Sequence, residues 1–236
     1  MYQFTFLLLG LEKDKLQEHL KAILPSSITY SLIQEFSLFR LNVTVPASQE
    51  QESLISALQK TLSKHIIAIN QTNLAIVVGE YLRKRNETIS TAESCTAGKI
   101  AAWLADIPGS SAYLMEGVVV YSNQAKTRLC GVPPEMIEKY GAVSSQVAIA
   151  LSEGILSYSG TDWALSVTGI AGPGGGSAHK PVGTVHLSCS SKYGTTEKRF
   201  IFSGNRQEVR EQTATQALIL LLENILEIDR DTSREL

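Results

Sequence analysis

The chain has 236 residues, and with 44% of them apolar it is long enough to bury a core in each of two domains. Lys and Arg number 21 against 23 Asp and Glu, so the net charge of -2 gives no electrostatic reason to expect nucleic acid or an anionic membrane as a partner. Three widely spaced cysteines, without a C-x-x-C pair, argue against a disulfide framework and a zinc site, and favour a cytoplasmic protein.

The first part of the chain alternates strand and helix patterns. The opening FTFLLLG is typical of a buried strand rather than a signal peptide, because no basic segment precedes it and the charged LEKDK follows at once. The pattern continues with a helix over KDKLQEHLKAIL, strands over SITYSLIQEF and SLFRLNVTV, and a helix over SQEQESLISALQKTLSKHI. This βαββα unit predicts a small α+β domain over residues 1–71, which ends at the polar stretch NQTN.

The rest of the chain predicts a larger domain over residues 72–228. Its strands are expected over ETISTAES, SAYLMEGVVVYS, WALSVTGI, GTVHLSCS and TEKRFIFSG. Its helices are expected over LAIVVGEYLRKRN, residues 96–106, QAKTRLCG, PPEMIEKYG, SSQVAIALSEGILSYSG and NRQEVREQTATQALILLLENILEI. Strands and helices in this order predict a three-layer α/β/α domain with a mixed sheet, followed by a frayed tail over residues 229–236. No run reaches the ~18 apolar residues of a membrane helix.

The segment TAESCTAG, at 91–98, places Ser94 where a strand is expected to run into a helix. A serine there lies at the strand's carboxyl end, beside free N–H groups of the first helical turn that are able to form an oxyanion hole. The alternative is that Ser94 or Thr96 merely caps the helix, because serine leads the N-cap preference. Spacing alone leaves both interpretations open.

The segment GVVVYSNQAK, at 117–126, is a strand that ends in polar residues and a lysine. Lys126 can serve as a general base only if burial or a nearby positive charge lowers its pKa. The alternatives are that Lys126 is a solvated surface residue and that Tyr121 is a half-buried strand aromatic. Both alternatives stay open.

The segment TGIAGPGGGSAHKP, at 168–181, predicts a glycine-rich loop whose N–H groups approach a phosphate or ribose closely. A strand follows it rather than a helix, so the dinucleotide-binding fingerprint is not met, and a tight connection without a ligand is the alternative. The four histidines have neither metal-ligand spacing nor an acidic cluster beside them. Cys95 with His179 as a thiol and base ranks below a serine nucleophile.

The strings TAESCTAG, IPGSSAY, GVVVYSNQAK, GAVS, TGIAGPGGG and KPVGTV, in this order and spacing, closely resemble the C-terminal domain of the CinA family, the competence/damage-inducible proteins. The resemblance implies deamidation of nicotinamide mononucleotide (NMN) to nicotinate mononucleotide and ammonia. Residues 1 to about 72 look like the middle domain of full-length members. We expect this chain to lack the molybdopterin-binding-like domain that begins those members, and the ADP-ribose pyrophosphatase activity attributed to it.

The resemblance also implies roles for single residues. Ser94 falls on the nucleophile, Lys126 on the base and Tyr121 on a residue that assists proton transfer. Arg206, with Arg210 as its alternative one helical turn later, falls on a position associated with binding or activity. The other substrate-binding positions carried over are Cys95, Thr96, Thr168, Gly169, Gly172, Gly174 and Gly175.

One residue departs from the family pattern. The family usually has a second glycine at the position of Ala97, and the added methyl is expected to crowd the oxyanion hole. The mapped roles imply a Ser/Lys acyl-enzyme mechanism with a small nucleotide as substrate and no metal or redox cofactor. A non-catalytic nucleotide- or partner-binding module and a hydrolase of a different small amide are the alternatives. A homo-oligomer stays open.

Overall fold

The computed structural model describes residues 1–46 and 50–232. Contacts divide the chain into two compact units, which are Met1–Asn73 with Leu226–Leu236, and Leu74–Ile225. Residues 72–228 were expected to form the second domain, whereas Leu226–Leu236 group with the first unit, and the domain limits at residues 71 and 228 stay a prediction. Independent folding of either part stays a prediction.

The first unit contains an antiparallel four-stranded sheet in the order β2-β3-β1-β4. Its elements are β1 (Tyr2–Leu9), α1 (Lys13–Ile23), β2 (Thr29–Glu35), β3 (Leu38–Val45), α2 (Glu50–Leu62) and β4 (Ile66–Ile69). Alternate residues of β1, Phe6 and Leu8, pack in one core with Leu16 and Leu20, which are one helical turn apart on α1.

Strand β4 is absent from the sequence-based prediction. The second helix was expected over residues 48–66, but it ends at Leu62, and residues 48–49 lie outside the described residues. The isoleucine-rich Ile66–Ile69 pairs instead with β1, and the backbone of His65 accepts a hydrogen bond from Leu9 N. Branched side chains and the open edge of β1 favour the strand over another helical turn.

The second unit contains a five-stranded sheet in the order β6-β5-β7-β8-β9. Its strands are β5 (Ile89–Glu93), β6 (Leu114–Val119), β7 (Trp163–Gly169), β8 (Thr184–Ser191) and β9 (Gly194–Ile201). Strands β6, β5 and β7 are parallel, whereas β8 and β9 are antiparallel, so the expected mixed sheet is confirmed.

The helices of this unit begin with α3 (Leu74–Arg85), α4 (Lys99–Ala105), α5 (Asn123–Cys130), α6 (Pro134–Tyr140) and α7 (Ser145–Ser159). The last helix, α8 (Arg206–Thr232), continues past residue 229, where the frayed tail was expected to begin, and residues 233–236 lie outside the described residues. Among the helices that the structure describes, none is both long enough and apolar enough to span a membrane.

Successive residues of β5 point to opposite faces of the sheet. Ala92 packs with Val147 and Leu151 of α7, whereas Glu93 accepts hydrogen bonds from the first turn of α4. Helices therefore cover both faces, as the three-layer prediction requires. The carboxyl ends of the parallel strands meet at one edge of the sheet, where ligands bind in open α/β folds.

Candidate active site

Ser94 follows β5 directly and begins a pair of tight turns. Its N–H donates to Val167 O of β7 at 3.0 Å, which fixes the residue at the edge of the sheet. Ala97 N then donates to Ser94 O at 3.1 Å, and Lys99 N donates to Thr96 O at 3.3 Å. We call residues 94–98 the nucleophile turn.

The helix after the nucleophile turn was expected to begin at Thr96, but it begins at Lys99. Ala97 and Gly98 have φ angles of 52° and 88°, in the left-handed region that α-helices exclude. Ala97 is exposed, so its departure from the family's glycine acts through the backbone, where a side chain strains a conformation that glycine adopts freely.

Three backbone donors of the nucleophile turn have no partner in another described residue. Within the described residues, the N–H groups of Cys95, Thr96 and Gly98 have no hydrogen-bond acceptor outside their own residue. Buried or half-buried N–H groups are almost always paired, so three free ones in a single turn indicate an anion-binding position. They are the expected donors of an oxyanion hole.

Lys126 is a basic residue in hydrogen-bond contact with Ser94. It lies on α5, whose N-cap Ser122 accepts a hydrogen bond from Ala125 N, and its Nζ is 3.1 Å from Ser94 Oγ. The same Nζ donates to Val120 O at 2.7 Å and reaches Tyr121 O at 3.5 Å. The Lys126 side chain is 1% exposed, so the interpretation as a solvated surface lysine is wrong.

Burial lowers the pKa of Lys126, because water no longer stabilises the ammonium form. No carboxylate forms an ion pair with Lys126 within the described residues, and the opposing effects of Cys95 and Cys130 offset burial only in part. The interpretation of Ser94 or Thr96 as a mere helix cap is also wrong, since Gly98 is the N-cap of α4 and receives no side-chain hydrogen bond.

Cys95 is 5% exposed, and among the described residues its thiol makes no hydrogen bond to Ser94 or Lys126. A Cβ at Gly169 would lie 3.1 Å from Cys95 Sγ and 2.7 Å from a methyl of Val185, so the thiol packs beneath the end of β7. Burial raises the pKa of Cys95 to about 12, which keeps the thiol protonated. His179 is exposed and donates nothing to Cys95.

Thr168 and the glycine-rich loop form the other side of the site. Thr168 is buried near the carboxyl end of β7, and its hydroxyl donates a hydrogen bond to Ala142 O at 2.7 Å. Gly172 and Gly175 have left-handed φ angles of 82° and 88°, and Gly174 has open space around it. Lys180 Nζ donates to Tyr140 O at 2.9 Å and to Val143 O at 2.6 Å, which ties the loop to the segment before α7.

Arg206 bridges the mouth of the site. Its guanidinium donates to Gly172 O and to the Tyr121 hydroxyl, both at 2.9 Å. Tyr121 is 58% exposed just beyond β6, so its hydroxyl lies at the rim with Arg206, and only its carbonyl approaches Lys126. The alternative to Arg206 has a different position, because Arg210 donates to Cys95 O and Thr96 O of the nucleophile turn.

Glu93 and Arg210 support the nucleophile turn, and sequence reasoning assigned Glu93 no role. Glu93 is fully buried, and its carboxylate accepts from Ile100 N at 3.1 Å and Ala101 N at 2.8 Å. The sequence pattern that could have revealed this role is a glutamate at the end of a buried strand, just before a helix. No cluster of three or more metal-binding side chains occurs in the described part of the chain.

The site lies in a region that matches a known family. The family model for the CinA C-terminal domain matches residues 71–225. A CinA-like protein of Desulfotalea psychrophila is 45% identical over 75% of this chain and 43% of its own length. A CinA-like protein of Endomicrobium trichonymphae is 36% identical over 92% of this chain and 54% of its own length. The chain therefore spans about half the length of these relatives.

Solved structures give the same family. A competence/damage inducible protein CihA from Agrobacterium tumefaciens matches with a TM-score of 0.63 at 40% identity, covering 65% of this chain and 96% of that chain. A competence or damage-inducible protein from Enterobacter asburiae matches with a TM-score of 0.63 at 32% identity, covering 66% of this chain and 99% of that one.

Proposed function

The chain belongs to the CinA C-terminal domain family, and from this premise we propose that it is a serine amidohydrolase that converts NMN to nicotinate mononucleotide and ammonia. The observation that carries the proposal is the buried Lys126 amine, 3.1 Å from the hydroxyl of Ser94 and without a carboxylate partner among the described residues. A nucleophile and a base in hydrogen-bond contact are the minimum equipment for covalent amide hydrolysis.

Neutral Lys126 is suited to accept the proton of Ser94. A neutral amine has two N–H bonds, and Val120 O at 2.7 Å and Tyr121 O at 3.5 Å are acceptors for both, so the nitrogen lone pair is left for the Ser94 hydroxyl. As Ser94 Oγ bonds to the carboxamide carbon, its proton moves to Lys126 Nζ. The negative oxygen that forms is held by the free N–H groups of the nucleophile turn.

Collapse of the tetrahedral intermediate breaks the C–N bond. The Lys126 ammonium donates its proton to the departing nitrogen, which leaves as ammonia. The acyl group stays on Ser94 as an ester. A water molecule then attacks the ester carbon, Lys126 takes a proton from that water, and the same proton returns to Ser94 Oγ. The products are nicotinate mononucleotide and the free enzyme, so every proton is accounted for.

Substrate selection falls to the glycine-rich loop and Arg206. A phosphate is a stronger acceptor than the Tyr121 hydroxyl or the Gly172 carbonyl, and Arg206 is exposed and free to turn toward it. The positively charged pyridinium ring of NMN also withdraws electrons from the amide carbonyl and favours attack by Ser94.

Ammonia release from NMN, nicotinamide riboside, nicotinamide and NAD tests the proposal. We expect NMN to be the preferred substrate and the Ser94→Ala enzyme to release ammonia from none of the four. Equal and trivial rates for both enzymes, with tight binding of NMN, would identify a binding module. Release from a different small amide alone would keep the serine chemistry and replace the substrate.

A further inference from the structure

We infer that Glu93 and Arg210 are positioning residues, which hold the backbone N–H groups beside Ser94 in the orientation that receives the oxyanion. The inference rests on the proposed serine mechanism. Neither side chain is placed to touch the substrate amide, because each is committed to backbone groups of the nucleophile turn or of the helix that follows it.

Arg210 acts on the peptide planes of the nucleophile turn. Its Nε donates to Cys95 O at 3.1 Å and its Nη2 donates to Thr96 O at 2.6 Å. A peptide unit is planar, with its C=O and N–H pointing in opposite directions. Holding Cys95 O therefore sets the direction of the Thr96 N–H, which is one of the three free donors. Arg210 therefore orients the Thr96 N–H by binding the carbonyl at the opposite edge of the same peptide unit.

The second held carbonyl connects Arg210 with another free donor. Holding Thr96 O fixes the plane that contains the Ala97 N–H, and that N–H donates to Ser94 O. Ser94 O in turn belongs to the peptide plane of the Cys95 N–H. The guanidinium thus orients two free donors through two consecutive peptide planes. A left-handed backbone at Ala97 and Gly98 makes such external support necessary.

Glu93 fixes the end of the turn that Arg210 does not reach. Its carboxylate accepts from Ile100 N and Ala101 N and so anchors the first turn of α4 to the end of β5. No basic side chain forms an ion pair with Glu93 among the described residues, so the two backbone N–H groups, with the Thr91 hydroxyl at 3.4 Å, compensate for its burial. Gly98 consequently lies between the carbonyls that Arg210 holds and the N–H groups that Glu93 holds.

The test combines two readouts for Arg210→Ala and Arg210→Lys. The first is kcat and KM for ammonia release from NMN. The second is the rate at which a small alkyl fluorophosphonate modifies Ser94: Oγ attacks phosphorus, fluoride leaves, and Lys126 takes the proton. The matched control is Arg83→Ala, because Arg83 also donates to two backbone carbonyls, those of Gly79 and Pro108, at 3.2 and 3.4 Å.

We expect Arg210→Ala to lower both kcat and the labelling rate by about 100-fold, since a displacement near 1 Å at a reacting centre has that effect. KM should change by less than about threefold, because the loss is confined to the transition state. Arg210→Lys should recover about tenfold of the loss, since one ammonium can hold one carbonyl. Arg83→Ala should match wild type in both rates despite its lower stability.

The outcomes separate the two proposals. Wild-type labelling at Ser94 without ammonia release from NMN would remove the proposed substrate and leave the positioning role intact. Labelling of Arg210→Ala at the wild-type rate would overturn the positioning role alone. Absence of wild-type labelling would overturn both. If Arg210→Ala does not fold, Glu93→Gln, which loses one acceptor while keeping its shape, should show the same fall in kcat at constant KM.

Discussion

The nucleophile turn and the glycine-rich loop face the same site but are built differently. Residues 94–96 of the turn are buried, and short backbone bonds, Glu93 and Arg210 hold the turn. Residues 173–179 of the loop are exposed, and two long cationic side chains, Lys180 and Arg206, connect the loop to its surroundings.

Under the proposed function, the difference assigns separate tasks to the two regions. Groups that stabilise a transition state must already be in place, because reorganisation during the reaction raises the barrier. Groups that capture a substrate have to let it enter and leave. Changes around the turn are therefore expected to lower kcat, and changes around the loop are expected to raise KM.

The largest effect is expected from Lys126→Met. Methionine keeps the length and volume of the side chain but removes the base, so turnover should fall by about 10⁴-fold. Loss of the hydrogen bond to Val120 O costs about 1–3 kcal/mol, which leaves a folded protein. Ammonia release and thermal unfolding of the same sample check both statements. A Lys126→Met enzyme with near-normal kcat would assign the base to another residue.

The pH dependence of catalysis is expected to follow Lys126. Only the neutral amine accepts the serine proton, so kcat/KM should rise about tenfold per pH unit below the pKa of Lys126 and level off above it. Burial lowers that pKa from its ordinary value of 10.5, so the plateau should begin below that pH. A profile that shows no rise anywhere between acidic pH and 10.5 would contradict the assignment.

Stability should follow pH with the same origin. Because the lowered pKa belongs to the folded chain, the unfolded chain binds more protons between that value and 10.5. The burial penalty of Lys126 is complete below the lowered pKa and disappears as pH rises toward 10.5, so the free energy of unfolding increases across this window. Lys126→Met serves as the control, since its free energy of unfolding should lack this rise with pH.

Arg206→Met is expected to affect binding rather than chemistry. A charge-assisted hydrogen bond to phosphate contributes about 1.5–3 kcal/mol, so KM for NMN should rise by about 10- to 100-fold while kcat stays similar. Nicotinamide riboside lacks the phosphate, and its KM should not respond to the substitution. Equal increases for the two substrates would place Arg206 away from the phosphate.

The smallest effect is expected at Ala97. Its φ of 52° favours glycine, so Ala97→Gly should raise the free energy of unfolding by up to about 1 kcal/mol, because the relief of strain exceeds the added entropy of the unfolded chain. Ala102 is exposed within α4, where Ala102→Gly should lower stability by about 1 kcal/mol. Denaturant unfolding of both variants measures the two opposite changes in the free energy of unfolding. A destabilised Ala97→Gly protein would refute the argument.

Local patterns predicted much of the fold and part of the site. Alternating and helical spacing identified the strand that leads into Ser94 and the strand that contains Thr168, because a half-buried element leaves a periodic trace. The start of α4 was misplaced, since nothing at Ala97 announces a left-handed residue in a segment of good helix formers. Strand β4 was missed because its pairing with β1 is a tertiary contact.

The groups that support the site were the least predictable. Arg210 lies 115 residues from Cys95 in the chain, and Arg206 lies 85 residues from Tyr121. No periodicity connects positions so far apart, and both arginines follow the same helical pattern at the start of α8. Only the folded structure distinguishes Arg206, whose guanidinium lies at the rim of the site, from Arg210, whose guanidinium holds the nucleophile turn.

Comparison of Ser94→Ala with Cys95→Ala tests the central claim most directly. The two residues are adjacent, but only Ser94 touches Lys126, whereas Cys95 is a buried thiol whose raised pKa keeps it protonated. Cys95→Ala should cost roughly 1 kcal/mol of stability and retain NMN-dependent ammonia release, and Ser94→Ala should lose that activity while folded. An active Ser94→Ala enzyme together with a folded but inactive Cys95→Ala enzyme would contradict the serine mechanism.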